Sequence, residues 1–174
     1  MLLLLAGSVR AADPLIDQLK ATASSREVSV HFSLAHAFDR EQTIQSLQSG
    51  VPTSLTYIVE IFRKRPLWLD EGVGRSRIEV IATFNSVTRE YLLNYRRDRK
   101  LVRSETFSDL GALQHAMTHI DEPNLFDIGA NAPHKLVVRA KADLMRGWLL
   151  YVIPWEISTH WKEVRVAEAE GPKP

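Results

Sequence analysis

Cysteine is absent from the 174 residues, and the charges nearly cancel, with 22 basic residues, 21 acidic residues and a formal net charge of +1. Without cysteine, the chain cannot be a disulfide-stapled mini-protein, a zinc ribbon or an enzyme with a thiol nucleophile. The near-neutral balance gives no support to a nucleic-acid-binding surface. Because 45% of the residues are hydrophobic, the chain can bury a core, and we expect one globular domain rather than disorder.

Long hydrophobic runs are also scarce. Downstream of the N-terminus, the longest run extends from Trp148 to Trp155 and is interrupted by Pro154. A membrane-spanning helix needs roughly 20 apolar residues. We therefore expect no membrane-spanning segment in the body of the chain.

Residues 1–11 have the character of a truncated export signal. A short leucine run leads into small residues, which place Val9 and Ala11 where signal peptidase needs them to cut before Ala12. No basic residue precedes the leucines, so we expect the true start to lie upstream of Met1. Cleavage would remove Arg10 and leave a formally neutral periplasmic protein, whereas an uncut signal would keep the protein at the membrane. The alternative is a helical turn packed on the domain.

Alternation of apolar and polar residues predicts most of the regular structure as β-strands. Residues 27–34 alternate strictly, which is typical of a strand with one buried face. Residues 53–62 are mostly β-branched or aromatic and carry apolar side chains on both faces, so both faces of that strand should be covered. Further strands are predicted at 78–84, 89–95, 101–107, 136–142, 148–152 and 155–158.

Two short helices are expected between the strands. Asp39 would cap the first, with Gln42 at the reciprocal capping position and Gly50 at its end. Ser108 would cap the second, in which apolar residues follow helical spacing over 110–120.

Three segments are expected to be irregular. Gly72-Val73-Gly74 predicts a turn, the polar stretch 121–133 predicts a long loop, and residues 165–174 predict a flexible tail. Seven or eight short strands with only two helices indicate a mainly β fold, an antiparallel and immunoglobulin-like β-sandwich. We expect it to form a single domain over residues 26–164.

His115 and His119 are the candidate metal ligands, because histidines four residues apart share one face of a helix. The zinc-protease motif has Glu directly after its first histidine, and here that residue is Ala116. A third ligand would have to come from the following segment, where Asp121, Glu122 and His134 are available. Solvent-exposed helix histidines are the simpler interpretation, and the sequence indicates no cofactor.

The predicted hairpin turn carries four basic residues, which we name the basic hairpin cluster: Arg96, Arg97, Arg99 and Lys100. Charged residues at hairpin tips protect strand edges from unwanted pairing, and that structural role is one interpretation. The other is contact with an anionic partner, either lipid head groups or an acidic protein face. Carboxylates are scattered along the chain without a close pair, so the sequence offers no candidate residues for general acid–base catalysis.

Several short segments occur in a familiar order, namely Ser46–Pro52, Arg63–Arg65 with Trp68, Thr88–Tyr91, Phe107–Leu110 and Trp155–Ser158. This order resembles an uncharacterised family of exported bacterial proteins, the domain of unknown function 4390, over most of residues 26–161. The chain departs from the family at Gly147-Trp148-Leu149, where members tend to show a Leu-Pro step. The resemblance implies an exported cell-envelope protein but no activity, cofactor or catalytic residue. Members are often encoded beside a two-component sensor kinase, which suggests envelope signalling.

Two functions therefore remain open, and the sequence does not indicate an oligomeric state. The first is a non-catalytic periplasmic binding or envelope-signalling module, in which the basic hairpin cluster contacts an envelope protein, such as a sensor kinase, or anionic lipid. Nucleic acid is not expected as a partner. The second is a metal-dependent hydrolase that uses His115 and His119.

Overall fold

A computed structural model describes residues 12–66, 69–130, 133–149 and 153–169. In chain order, the strands within these ranges are β1 (Leu15–Ser24), β2 (Glu27–Ala35), β3 (Thr53–Arg63), β4 (Glu71–Asn85), β5 (Glu90–Arg97), β6 (Lys100–Phe107), β7 (His119–Asp127), β8 (Leu136–Leu149), β9 (Ile153–Ser158), β10 (Lys162–Arg165) and β11 (Ala167–Glu168). The helices are α1 (Glu41–Gln48) and α2 (Leu110–Thr118), with a 3₁₀ turn at Pro133–Lys135.

Two sheets form the domain, which confirms the predicted mainly β, two-sheet sandwich. The four-stranded sheet has the order β11-β1-β2-β7, in which β11 pairs parallel with β1 and the other pairs are antiparallel. The seven-stranded sheet has the order β10-β8-β3-β4-β5-β6, and β9 also pairs with β8. The described residues thus contain more strands than the seven or eight expected.

The core lies between the sheets and is centred on β3. Tyr57 is fully buried and packs edge-on against Phe32 of β2, with ring centroids 5.3 Å apart. On the other face of β3, Ile58 and Phe62 are also buried, and the Arg139 guanidinium lies 5.3 Å from the Phe62 ring. Both faces of this strand are therefore covered, as its sequence predicts.

The segment 121–133, which was expected to be a loop, instead contains most of β7. This strand pairs with β2 and buries Ile120, Glu122 and Phe126. Its pairing with β2 is interrupted by a bulge, and Asn124 there has a φ of 55°. The prediction was wrong because a buried carboxylate and a bulge hide the alternation that marks a strand. β1, ahead of residue 26, was not predicted, and it too is bulged where Gln18 has a φ of 50°.

The turn predicted at Gly72-Val73-Gly74 is wrong, because these residues belong to β4, where Gly72 and Gly74 pair with β3 on either side of a bulge at Val73. Gly74 lies where the two sheets approach closely. A Cβ there would be 2.9 Å from the Phe126 ring and 3.2 Å from the Ile61 side chain. Glycine is needed at this position to make room for its neighbours rather than to make a turn.

The structure tests several predictions for the C-terminal part of the chain, where it places strands β8 and β11. Ala167–Glu168 form β11 and the preceding Val166 is buried, so the first part of the predicted flexible tail is ordered; residues 170–174 lie outside the described residues. The strand predicted at 136–142 is confirmed as part of the longer β8. Of the strand predicted at 148–152, the first two residues belong to β8 and the rest lie outside the described residues.

Both helices begin close to the predicted positions but with different caps. Asp39 does not cap α1: its carboxylate lies 2.6 Å from the His36 ring, and the N-cap residue is Arg40, which makes no side-chain cap bond. The side chain of Gln42 lies outside the described residues. In α2 the cap is Asp109 rather than Ser108, and its carboxylate accepts a hydrogen bond from the Ala112 amide at 2.7 Å.

Candidate binding site at the basic hairpin

A two-residue turn joins β5 to β6 and brings the basic hairpin cluster together. Asp98 and Arg99 have φ values of 50° and 70°, and positive φ at both central residues is what a type I′ hairpin turn requires. The Asp98 carboxylate accepts hydrogen bonds from the Arg77 amide at 2.8 Å and from the Ser76 hydroxyl at 3.1 Å. The turn is therefore anchored to the neighbouring strand β4.

Arg97 is held by a buried carboxylate and does not act as a free cation. Its guanidinium donates to Glu122 Oε2 at 2.9 Å. The other oxygen of Glu122 accepts a hydrogen bond from the Tyr95 hydroxyl. This Tyr95–Glu122–Arg97 cluster links β5 of one sheet to β7 of the other, so Arg97 has a structural role.

Two buried tyrosines, Tyr95 of this cluster and Tyr57, have hydroxyl groups with a raised pKa. Desolvation by burial, reinforced by the hydrogen bond to Glu122, raises the pKa of Tyr95 far above its ordinary value. Burial alone raises the pKa of Tyr57 in the same way, and its hydroxyl donates to the Met117 carbonyl at 2.7 Å. Both hydroxyls thus act as permanent donors that tie strands to neighbouring elements.

Other cations near the hairpin are also neutralised. Arg103 lies 3.0 Å from the Glu105 carboxylate, and its guanidinium is 4.4 Å from the centre of the Tyr95 ring. Arg77 pairs with Glu79 at 2.9 Å. Glu79 is the residue opposite Arg96 in the strand register, and its carboxylate is engaged by Arg77.

The remaining three members of the cluster, Arg96, Arg99 and Lys100, are exposed, and we name them the tip cations. None of them forms an ion pair within the described parts of the chain. Next to them, Leu101 and Val102 are 59% and 52% exposed. The structure therefore divides the predicted cluster into one structural arginine and three exposed cations beside apolar side chains.

The histidine pair is exposed but lacks a third ligand. His115 lies in the last turn of α2 and His119 is the first residue of β7; their rings stack with centroids 3.7 Å apart. Nδ1 of His119 is 3.2 Å from both the Thr118 hydroxyl and the His115 carbonyl. Among the described residues, no group of three His, Cys, Asp or Glu side chains could hold a metal ion.

The third ligands considered from the sequence do not complete a metal-binding group with the pair among the described residues. Glu122 is engaged by Tyr95 and Arg97. Asp121 lies 3.9 Å from His31, and His134 belongs to the 3₁₀ turn. The geometry gives no support to the metal-dependent alternative.

A shallow groove of about 460 Å³ on the outer face of the seven-stranded sheet was not predicted. Its charged groups neutralise one another, since Glu60 lies 2.7 Å from Arg139 and 3.5 Å from Arg75. Trp161 packs beside it, with the Arg139 guanidinium 4.5 Å from the centre of the indole ring. These ion pairs hold the face together and engage Glu60, Arg75 and Arg139 with one another.

Comparison with known protein families gives a match over most of the chain. Residues 11–165 match the family described as Domain of unknown function (DUF4390). No curated protein and no solved structure matches the chain. Across the described ranges, we find no helix with the length and apolar character needed to span a bilayer. Since the match covers most of the sequence, the chain belongs to the DUF4390 family.

Proposed function

We propose that this protein is a non-catalytic binding module of the cell envelope that contacts an anionic lipid surface through Arg96, Arg99 and Lys100. The observation that carries the proposal is the division within the basic hairpin cluster. Arg97 is held by Glu122 at 2.9 Å, whereas the tip cations are exposed and form no ion pair with the described residues.

The chemistry of the tip suits a lipid head-group region. Each basic side chain close to an anionic membrane surface contributes about 1 kcal/mol of attraction. Exposed apolar side chains beside such cations can enter the boundary between head groups and acyl chains, and Leu101 and Val102 are more than half exposed. An acidic protein face, such as that of a sensor kinase, would use the cations but would gain less from this apolar pair.

The location in the envelope rests on the sequence pattern of residues 1–11, which lie outside the described residues. The leucine run followed by Val9 and Ala11 fits an export signal cut before Ala12. An exported chain without cysteine needs no oxidative folding, since disulfides are permitted but not required in the periplasm.

Vesicle binding tests the proposed function. We expect the chain to co-sediment with phosphatidylglycerol vesicles but not with neutral phosphatidylcholine vesicles, and its affinity to fall with salt. The triple variant R96Q/R99Q/K100Q should lose about tenfold or more in affinity. The matched control K20Q/K135Q/R165Q removes three exposed basic residues elsewhere and should bind like the wild type.

Two results would overturn the proposal. One is failure of the wild-type chain to bind phosphatidylglycerol vesicles at low salt. The other is an equal loss of affinity in the tip variant and the control variant, because that would show a dependence on net charge alone.

A further inference from the structure

Most of the edge strands that the structure describes have features that prevent pairing with another strand. Edge strands expose unpaired backbone groups, and proteins protect them with short strands, prolines and bulges. In the four-stranded sheet, β11 has two residues, and β7 contains Pro123 and a bulge next to it. At one side of the seven-stranded sheet, β10 has four residues and β9 contains Pro154.

β6 is less protected than these strands, because its bulge lies next to the hairpin turn and leaves the rest of the strand regular. It is eight residues long, lies at the end of the seven-stranded sheet, and contains neither glycine nor proline. Every residue from Lys100 to Thr106 is exposed. From Arg103 to Phe107 it pairs regularly with β5, so its outer edge is a regular template for another strand.

The charges on β6 identify what could pair with it. Arg103 and Glu105 flank Ser104, and since side chains two apart on a strand share a face, both lie on the same face. In an antiparallel pair centred on Ser104, the arginine of each strand would lie opposite the glutamate of the other. The strand is therefore complementary in charge to a second copy of itself.

We propose that two copies of this protein dimerise by antiparallel pairing of their β6 strands, with Ser104 on the twofold axis. Arg103 lies opposite the partner's Glu105, and Leu101 and Val102 lie outside the paired segment. The twofold axis is perpendicular to the sheet and joins the two seven-stranded sheets into one.

The bulge near the hairpin limits the paired segment. Register between β5 and β6 shifts between Tyr95 and Arg96 and leaves Val102 without a partner on β5, so regular pairing with a second copy covers residues 103–105 of each strand. Arg99 and Lys100 lie beyond it and keep their exposure. Dimerisation and binding through the tip cations are thus separate properties, and one can fail without the other.

Sedimentation velocity over a dilution series tests the dimer, using the full chain and charge-reversed variants. R103E places Glu opposite Glu, and E105R places Arg opposite Arg. Each single variant should weaken dimerisation by about tenfold or more, because the mismatched pair occurs twice in a twofold dimer. An equimolar mixture of R103E and E105R, and the double variant R103E/E105R, should both restore the dimer.

The control variant K64E breaks another exposed ion pair, that of Lys64 with Glu163 at 3.0 Å, and should dimerise like the wild type. Circular dichroism melts establish that each variant is folded. A wild-type chain that stays monomeric throughout the series would overturn the proposal. So would R103E dimerising as well as the wild type, or a mixture that associates no better than its components.

Discussion

Glu122 is a buried carboxylate in the middle of a strand, and two groups on β5 explain how it is tolerated there. Its side chain is 7% exposed, yet its two oxygens accept from the Tyr95 hydroxyl and the Arg97 guanidinium. A buried charge is costly unless it is paired and hydrogen-bonded. These partners lie 25 and 27 residues away in the chain, so local sequence patterns did not reveal that a polar segment forms a strand.

Replacing this carboxylate tests its structural role. Glu122→Gln keeps an acceptor for Tyr95 but removes the charge that Arg97 binds, so we expect the free energy of unfolding to fall by about 1–3 kcal/mol. Glu163→Gln, which removes the charge from an exposed pair, should cost less than about 1 kcal/mol. Urea denaturation measures both, and equal losses would contradict the assigned role of Glu122.

The buried tyrosines predict how stability depends on pH. Burial raises the pKa of Tyr57 and Tyr95 well above the ordinary tyrosine value of about 10. Above about pH 10 the unfolded chain loses these protons while the folded chain keeps them, so the unfolded state binds fewer protons and stability falls as pH rises. Below about pH 10 these two groups contribute no pH dependence.

Urea denaturation at a series of alkaline pH values measures this slope. Tyr57→Phe should make the slope shallower by about one proton, although the variant is less stable overall. Ionisation of all four tyrosines while the chain is still folded, followed by ultraviolet absorbance, would contradict the prediction.

At the scale of single elements, the N-cap of α2 can be assigned to one of two adjacent residues. Asp109 accepts from the Ala112 amide at 2.7 Å, whereas Ser108 is not the cap. Asp109→Ala should therefore destabilise the protein by about 1 kcal/mol, and Ser108→Ala should have little effect. Thermal melts of the two variants check this, and a larger loss in Ser108→Ala would show that the serine is the cap.

Elements with a simple hydrophobic pattern could be predicted from sequence, whereas two strands interrupted by bulges, β1 and β7, could not. β2 and β3 were found because alternation and β-branched residues follow directly from where their side chains pack. β1 and β7 each contain a bulge at a residue with positive φ, Gln18 and Asn124. In β1 the bulge shifts the alternation by one residue, and in β7 residues 123–125 stand opposite Ser29 and interrupt it, so the periodic signal breaks within each strand.

The candidate site was predicted in part. The basic hairpin cluster is visible in the sequence as a concentration of positive charge. The sequence does not show which of these cations form ion pairs in the folded protein. That depends on tertiary contacts, above all the approach of Glu122 to Arg97. The sequence therefore shows where basic residues concentrate, and the structure separates the tip cations from the arginine that links the two sheets.

At the scale of the whole molecule, the distance between the sheets depends on Gly74. A Cβ at this position would meet the Phe126 ring at 2.9 Å, so Gly74→Ala forces the sheets to shift and should cost about 1–3 kcal/mol. Gly72 has no atom within 4 Å of the corresponding point, and Gly72→Ala should be tolerated. Urea denaturation compares them, and equal stability of the two variants would contradict the proposed close approach.

The central claim is that the tip cations bind an anionic lipid surface, and amide NMR titration tests it most directly. The chain is titrated with micelles of a short-chain phosphatidylglycerol, and chemical shift changes are mapped onto the described residues. We predict that the largest changes fall on Arg96, Arg99 and Lys100 and the adjoining Leu101 and Val102. Changes centred elsewhere, for example around the His115–His119 pair on α2, or no changes at all, would contradict the account.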